Sequence, residues 1–325
     1  MDTDLDDTFD TAVFLVPGQG NNPTGALSQF YQQDVILRSE IDRILDEVDH
    51  IGTAHGFGSV RGVLLADSNA AELPPGMPQL ATYAAAVALN HMLATAGVRP
   101  HAVVGQSLGE IAAFVCAGVL EIAEGAQAVC ALNNAFASFD GRGGMVVVRA
   151  DEAGTQGLLA LLDRADLVLA GVNTPRQSIV SGSNEAIEAL LFCAGEPGIP
   201  TLRKLPVPYA THHPSLKPVA DQFLADLRKL PQRSLQTEVF SPVRRRAYTD
   251  ADDLHEALAD CVVRPVYLLE TLQRFPASPR QLFIEVGPGD TLTRCVRASI
   301  PGARTVAPLA GDTSWLHAAL GTASI

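Results

Sequence analysis

Along the chain, unbroken apolar runs alternate with stretches of helical spacing. Thr11–Val16 (TAVFLV) is apolar throughout and stops at Pro17-Gly18-Gln19-Gly20-Asn21-Asn22. A short apolar run closed by Gly and Pro reads as a buried strand feeding a tight loop. Over Gln33–Asp49, the residues Val35, Ile36, Leu37, Ile41, Ile44, Leu45 and Val48 recur at helical spacing. The break Pro74-Pro75-Gly76 precedes a long helix, from about Pro78 to Ala96, followed by a strand at Ala102–Gly105. The apolar stretch Ile111–Val119 reads as the next helix, and Glu121–Phe136 as another. After Gly141-Arg142-Gly143-Gly144 the elements shorten. Met145–Arg149, Leu167–Val172, Gln177–Ser181 and Thr201–Pro206 read as strands, Thr155–Asp163 and Asn184–Ala194 as helices. Longer elements then return, with helices at Ser215–Leu230 and Leu254–Cys261. Strands are expected at Glu238–Ser241 and Gln281–Val286, the last ending in Gly287-Pro288-Gly289.

This pattern predicts an α/β protein in two parts. The βαββαβ order over 143–211 fits a small ferredoxin-like subdomain, and 12–142 with 212–325 form the large one. Residues 1–11 read as a disordered acidic tail. At 325 residues, 47% apolar and 18% charged, the chain can bury one large core and a smaller one. It contains no run of about eighteen apolar residues, so no membrane span is expected. The acidic Met1-Asp2-Thr3-Asp4-Leu5-Asp6-Asp7 is unlike a secretory leader, which places the protein in the cytoplasm. The net charge of −13 argues against nucleic acid as a partner. Cys116, Cys130, Cys193, Cys261 and Cys295 lack metal-type spacing and read as small buried apolar residues.

The chemistry concentrates at Gly105-Gln106-Ser107-Leu108-Gly109, between strand Ala102–Gly105 and a helix. Flanking glycines let the backbone turn sharply, so the Ser107 hydroxyl stands clear of both elements. The first N–H groups of the helix point at the same spot and can hold an oxyanion. A serine nucleophile needs a base. Of the eight histidines, His50, His55, His91, His101, His255 and His317 read as surface or structural. His212 and His213 lie in the irregular stretch Pro208-Tyr209-Ala210-Thr211-His212-His213-Pro214, and either ring could face the serine.

These segments together resemble the malonyl-CoA:acyl carrier protein transacylase family and the acyltransferase domains of polyketide synthases, over about residues 12–310. Phe14-Leu15-Val16-Pro17-Gly18-Gln19-Gly20 is similar to the family's opening strand and loop. Gly105–Glu110 is similar to its G-H-S-L-G-E elbow, and Ala117-Gly118-Val119-Leu120 continues the match. Tyr209-Ala210-Thr211-His212 resembles its Y-A-S-H motif, and Glu285-Val286-Gly287-Pro288-Gly289 its late strand and turn. The resemblance implies an α/β-hydrolase-like large subdomain with a parallel sheet. It makes Ser107 the nucleophile and His212 the general base and acid, with the N–H groups of Gln19 and Leu108 as the oxyanion hole. Gln79 matches a glutamine lining the family's active site. A backbone carbonyl, matched near Cys261, orients the histidine. No cofactor is bound; the acyl group arrives on the phosphopantetheine of an acyl carrier protein.

Two departures stand out. Gln106 replaces the family's usual histidine. Members that transfer malonyl or methylmalonyl groups carry an arginine twenty-five residues after the serine, where this chain has Leu132; no Arg or Lys occurs between Ser107 and Asp140. A carboxylate in a water-poor pocket needs a bidentate cation. Without one, its desolvation costs several kcal/mol. The acyl pocket, assigned to Gln79, Gln106, Leu132, Tyr209 and Thr211, is therefore expected to favour a non-carboxylated group. The chain reads as a discrete, trans-acting enzyme. It resembles the VinK-like enzymes of macrolactam polyketide pathways, which move an aminoacyl or dipeptidyl starter between donor and acceptor carrier proteins. An acyl-carrier-protein hydrolase and a malonyl-type extender acyltransferase are the alternatives. Acidic carrier proteins need a basic patch, for which Arg149, Arg203, Lys204, Arg294 and Arg297 are the candidates, with Arg244-Arg245-Arg246 as a weaker third patch.

Overall fold

The computed structural model describes residues 9–33, 35–66, 73–139 and 141–311. Among the described residues, ten strands form two sheets: β1 (Thr11–Val16), β2 (Ala102–Gly105), β3 (Gly144–Val148), β4 (Leu167–Thr174), β5 (Gln177–Gly182), β6 (Leu202–Lys204), β7 (Glu238–Ser241), β8 (Arg246–Ala247), β9 (Gln281–Glu285) and β10 (Arg304–Val306). The large sheet runs β10-β9-β1-β2-β7-β8. All its pairings are parallel except that of β7 with β8. β1 lies in the middle, with Val13 to Val16 fully buried. That is why its sequence is apolar without alternation, since a central parallel strand is covered on both faces. Helix Met77–Thr95 is buried around most of its girth, as a helix that is apolar on most of its sides must be.

The small sheet is antiparallel, in the order β4-β5-β3-β6, which is the ferredoxin-like arrangement. Its two helices, Glu152–Leu162 and Asn184–Phe192, are capped by the side chains of Asp151 and Ser183. Strand alternation sorts its residues. Val146, Val148 and Val180 face the helices, while Met145, Val147 and Ile179 face the large subdomain. The two parts join where Val172 N–H donates to Val266 O (2.8 Å) and Val266 N–H to Ala170 O (2.9 Å).

The differences from expectation have local causes. Of the expected tail 1–11, residues 1–8 lie outside the described residues. Thr11 is already in β1, and Asp10 is held by the guanidinium of Arg280. The helix expected from Ile111 to Val119 runs instead over Gly109–Cys116, because Gly118 takes a left-handed φ of 75° and ends it. Helices Ser28–Gln33, Arg61–Leu65 and Leu268–Leu272, and strands β8 and β10, are too short to carry a period. Among the described residues, no helix is long and apolar enough to cross a membrane.

Candidate active site

The turn after β2 is built by three glycines. A Cβ on Gly105 would lie 2.6 Å from Glu110 Cα, and one on Gly109 2.2 Å from the Val16 carbonyl oxygen. A Cβ on Gly18 would lie 2.6 Å from the Gln106 carbonyl oxygen, so the loop after β1 can close onto the elbow only with glycine there. Ser107 sits between them with φ of 57°, a left-handed conformation that costs a non-glycine residue about 1–2 kcal/mol. The surrounding contacts hold it there, and helix Gly109–Cys116 starts immediately after, with Leu108 at its N-cap.

His212 also has a positive φ, 60°, and is almost fully buried. Its N–H donates to Val262 O at 2.8 Å. Its ring Nδ1 lies 2.9 Å from Arg264 O, and its Nε2 lies 2.9 Å from Ser107 Oγ. A carbonyl can only accept, so Nδ1 carries the proton and Nε2 presents its lone pair to the serine. The Arg264 carbonyl, just past the end of helix Leu254–Val263, orients the ring. The Cys261 backbone, near which that carbonyl was expected, also contributes a hydrogen bond to it, and the Cys261 thiol contacts Ala257 O and lines the pocket. Burial lowers the His212 pKa to about 4, against the Arg264 contact, which pulls it up. The ring is therefore neutral near pH 7 and ready to take a proton. His213 is spent elsewhere: its Nδ1 accepts from Ser215 N–H and caps the turn Pro214–Leu216.

Beside Ser107 lies a small cavity of about 30 Å³. Leu132 lines it together with Ile111, Phe136, Phe223, Leu258 and Val262. The polar groups on its wall are Gln19, Gln79, Ser107, Asn133 and Thr211, and no charged side chain is among the lining residues. Asn133 is committed to Gly76 O (2.9 Å), and Gln79 Nε2 to Tyr209 OH (2.9 Å) and Gln19 Oε1 (3.3 Å). Thr211 Oγ1 contacts Met145 Sδ.

Gln106 and Tyr209, both assigned to the acyl pocket from sequence, line neighbouring spaces instead. Gln106 faces a cleft of about 370 Å³ between the two sheets, with Ser107 and His212 at its floor. Its amide reaches Asn173 Oδ1 (3.4 Å) on β4. Tyr209 stacks on Phe136 (4.5 Å between ring centres) and lines a further cleft of about 530 Å³ on the other side of Gln79. Of the five basic residues expected to dock a carrier, Arg203 and Arg294 line the 370 Å³ cleft. Arg294 also pairs with Asp290 (3.0 Å). Arg149, Lys204 and Arg297 are exposed, outside that lining, and Arg297 donates to Thr305 Oγ1 (2.7 Å). Arg244, Arg245 and Arg246 are paired with Asp260, Glu270 and Asp252, which leaves that third patch little charge to offer.

Beneath the elbow, Glu110 is fully buried. Ser241 Oγ (2.8 Å) and Tyr248 OH (2.6 Å) donate to it. Burial raises its pKa from 4.5 to about 7, against these hydrogen bonds. A folded value above the unfolded one gives stability that is complete below pH 4.5 and lost as the pH rises through 7. Glu110→Gln is therefore expected to gain stability relative to wild type between pH 5 and 8, by up to about 3 kcal/mol. Urea unfolding of both proteins across that range checks it; parallel pH dependences would remove Glu110 from this role.

A mainly parallel sheet carries a serine on a tight elbow, with a carbonyl-oriented histidine 2.9 Å from its hydroxyl and a small antiparallel sheet across the cleft, and this is the architecture of an acyl transferase domain. Residues 13–313 match the acyl transferase domain family. The chain belongs to that family and is an acyltransferase. It is 31% identical over 297 residues to the spectinabilin polyketide synthase system protein NorA' of Streptomyces orinoci, covering 89% of this chain. It spans 8% of that relative's length. Among solved structures, the acyltransferase domain of SpnD in complex with 2-(pent-4-yn-1-yl)malonyl matches with a TM-score of 0.82 and 29% identity, covering 97% of this chain and 76% of that one. The malonyl-CoA:acyl carrier protein transacylase of Xanthomonas oryzae pv. oryzae matches with a TM-score of 0.84 and 25% identity, over 97% and 99% of the two chains.

Proposed function

We propose that this chain transfers a non-carboxylated acyl group, of the aminoacyl or dipeptidyl starter type, between acyl carrier proteins in polyketide biosynthesis. The observation that carries the reading is Leu132, an apolar side chain on the wall of the cavity beside Ser107, in a lining without a cation. A malonyl carboxylate there would have nothing to replace its water. In this reading Ser107 Oγ bonds to the thioester carbonyl carbon as its proton passes to His212 Nε2. The N–H groups of Gln19 and Leu108 hold the oxyanion. The C–S bond then breaks, the carrier thiolate takes the proton from His212, and the acyl-enzyme remains. A second phosphopantetheine thiol returns through the same steps, giving ping-pong kinetics. The 370 Å³ cleft, with Arg203 and Arg294 on its wall, supports access by a long thiol arm whose phosphate those guanidinium groups would meet.

The test is intact-protein mass spectrometry of the enzyme after mixing with a carrier bearing a simple acyl or aminoacyl group, followed by a chase with a second, holo carrier. Transfer of the Ser107 adduct to the holo carrier supports the proposal; loss of the adduct to water at the same rate without a holo carrier makes the protein a hydrolase. A further variant reads the pocket directly. Leu132→Arg is expected to raise the ratio of malonyl to simple acyl loading by about tenfold or more, because it supplies the missing charge. An unchanged ratio would mean that position 132 does not meet the acyl terminus.

A further inference from the structure

The proposed oxyanion donor at Gln19 lies in a loop that is packed on one side and sterically free on the other. Glycines flank it. Gly18 is closed onto the Gln106 carbonyl, and the Gln19 side chain accepts from Gln79 Nε2 at 3.3 Å. Gly20, with a φ of 117° and nothing within 4 Å of where its Cβ would be, leaves the downstream end of the loop without steric restriction. Something outside the loop has to hold it.

Asn21 does this with both ends of its amide. Nδ2 donates to Pro288 O at 2.7 Å, and Oδ1 accepts from Thr291 Oγ1 at 2.7 Å. The Pro288 carbonyl can only accept, which fixes the amide's orientation. Gly289 makes room: with φ of 82°, its missing Cβ would lie 2.9 Å from Asn21 Cγ. The anchor itself is rigid. Val286 N–H donates to Leu15 O (2.8 Å), and the buried Glu285 carboxyl accepts from the N–H groups of Leu292 (3.1 Å) and Thr293 (2.8 Å). The turn 286–291 is thereby tied to β1 on one side and to helix Thr291–Ser299 on the other.

We propose that Asn21 is a positioning residue for the acyl-transfer reaction: its side-chain clamp to Pro288 and Thr291 holds the Gln19 peptide where its N–H meets the oxyanion. This rests on the Ser107 acyl-enzyme reading above. Asn21→Asp keeps the shape but sets a carboxylate oxygen against the Pro288 carbonyl oxygen. Thr291→Val removes the other half of the clamp, and Thr291→Ser keeps it.

The experiment is single-turnover acyl-enzyme formation from an acyl-pantetheine thioester at varied concentration, with the thermal midpoint of each variant measured in parallel. For Asn21→Asp, the maximal acylation rate is expected to fall about tenfold to a hundredfold, with the half-saturating concentration within about twofold of wild type, because the donor acts on the transition state. Thr291→Val is expected to lose about threefold to tenfold, and Thr291→Ser to recover nearly all of it. If Asn21→Asp does not fold, the Thr291 pair decides. Wild-type rates in folded Asn21→Asp, or a loss confined to half-saturation, would overturn the clamp; so would equal losses in Thr291→Val and Thr291→Ser. Failure of the wild-type enzyme to form any Ser107 adduct would instead remove the underlying acyl-enzyme reading.

Discussion

Ser107→Ala is expected to leave a folded protein that takes up no acyl group, with transfer lowered by about 10⁴-fold or more. The effect is large because, among the described residues, the hydroxyl that meets His212 Nε2 is Ser107 Oγ, at 2.9 Å. The thiol that lines the same pocket, Cys261, is held by burial well above the ordinary thiol range and is a poor substitute. The fold is expected to survive. Alanine meets the same backbone penalty at φ of 57° as serine does, and the three glycine contacts around the turn are untouched. Intact mass after incubation with an acyl-charged carrier reads the first half of this expectation, and the thermal midpoint reads the second. An adduct of unchanged yield on the alanine variant would place the nucleophile elsewhere.

His212→Ala is expected to lower acylation by about a thousandfold, within the range for losing a positioned base, and to change its pH dependence. With the wild-type value lowered to about 4, Nε2 is free above about pH 5. The acylation rate is then flat from pH 6 to 8 and falls only in acid, as the ring protonates. The alanine variant loses that inflection. Stability carries the opposite signature to that of Glu110. The folded His212 value lies below the unfolded 6.5, so its contribution is present above pH 6.5 and lost as the pH falls toward 4. Relative to wild type, His212→Ala is therefore more stable at pH 5 than at pH 7.5. Acylation rates and urea midpoints at those pH values test both parts. A wild-type rate that halves near pH 6.5 would mean that the ring is solvated and poorly held.

What could be read from the sequence was what a few residues dictate locally. β1 and β2 showed as apolar runs because strands buried on both faces cannot alternate. The elbow showed because glycines at 105 and 109 are steric necessities. The ferredoxin-like order showed because short apolar runs and short helical stretches follow one another in βαββαβ order after Gly141-Arg142-Gly143-Gly144. The residues alone left His212 and His213 open, since the choice depends on which ring meets the Arg264 carbonyl, fifty-two residues away; the resemblance of Tyr209–His212 to a family motif is what pointed to His212. The acyl-pocket wall was half legible. Phe136 lies one helical turn beyond Leu132 on helix Ile122–Phe136 and could have been inferred from spacing. Phe223 and Leu258 come from separate helices that only the tertiary fold brings to Ser107. Asn21 was hidden for the same reason, because its partners lie about 270 residues downstream. The Arg244–Arg246 run looked cationic in sequence, yet each guanidinium had already found its carboxylate in space.

The most direct measurement is a competition. Carriers charged with malonyl, simple acyl and aminoacyl groups are offered together at equal concentration, and the Ser107 adducts are resolved by intact mass within the first turnover. Adducts from the non-carboxylated carriers, with malonyl at least about a hundredfold behind, are the expected result for a pocket closed by Leu132 without a cation. Malonyl loading at an equal or faster rate would contradict it.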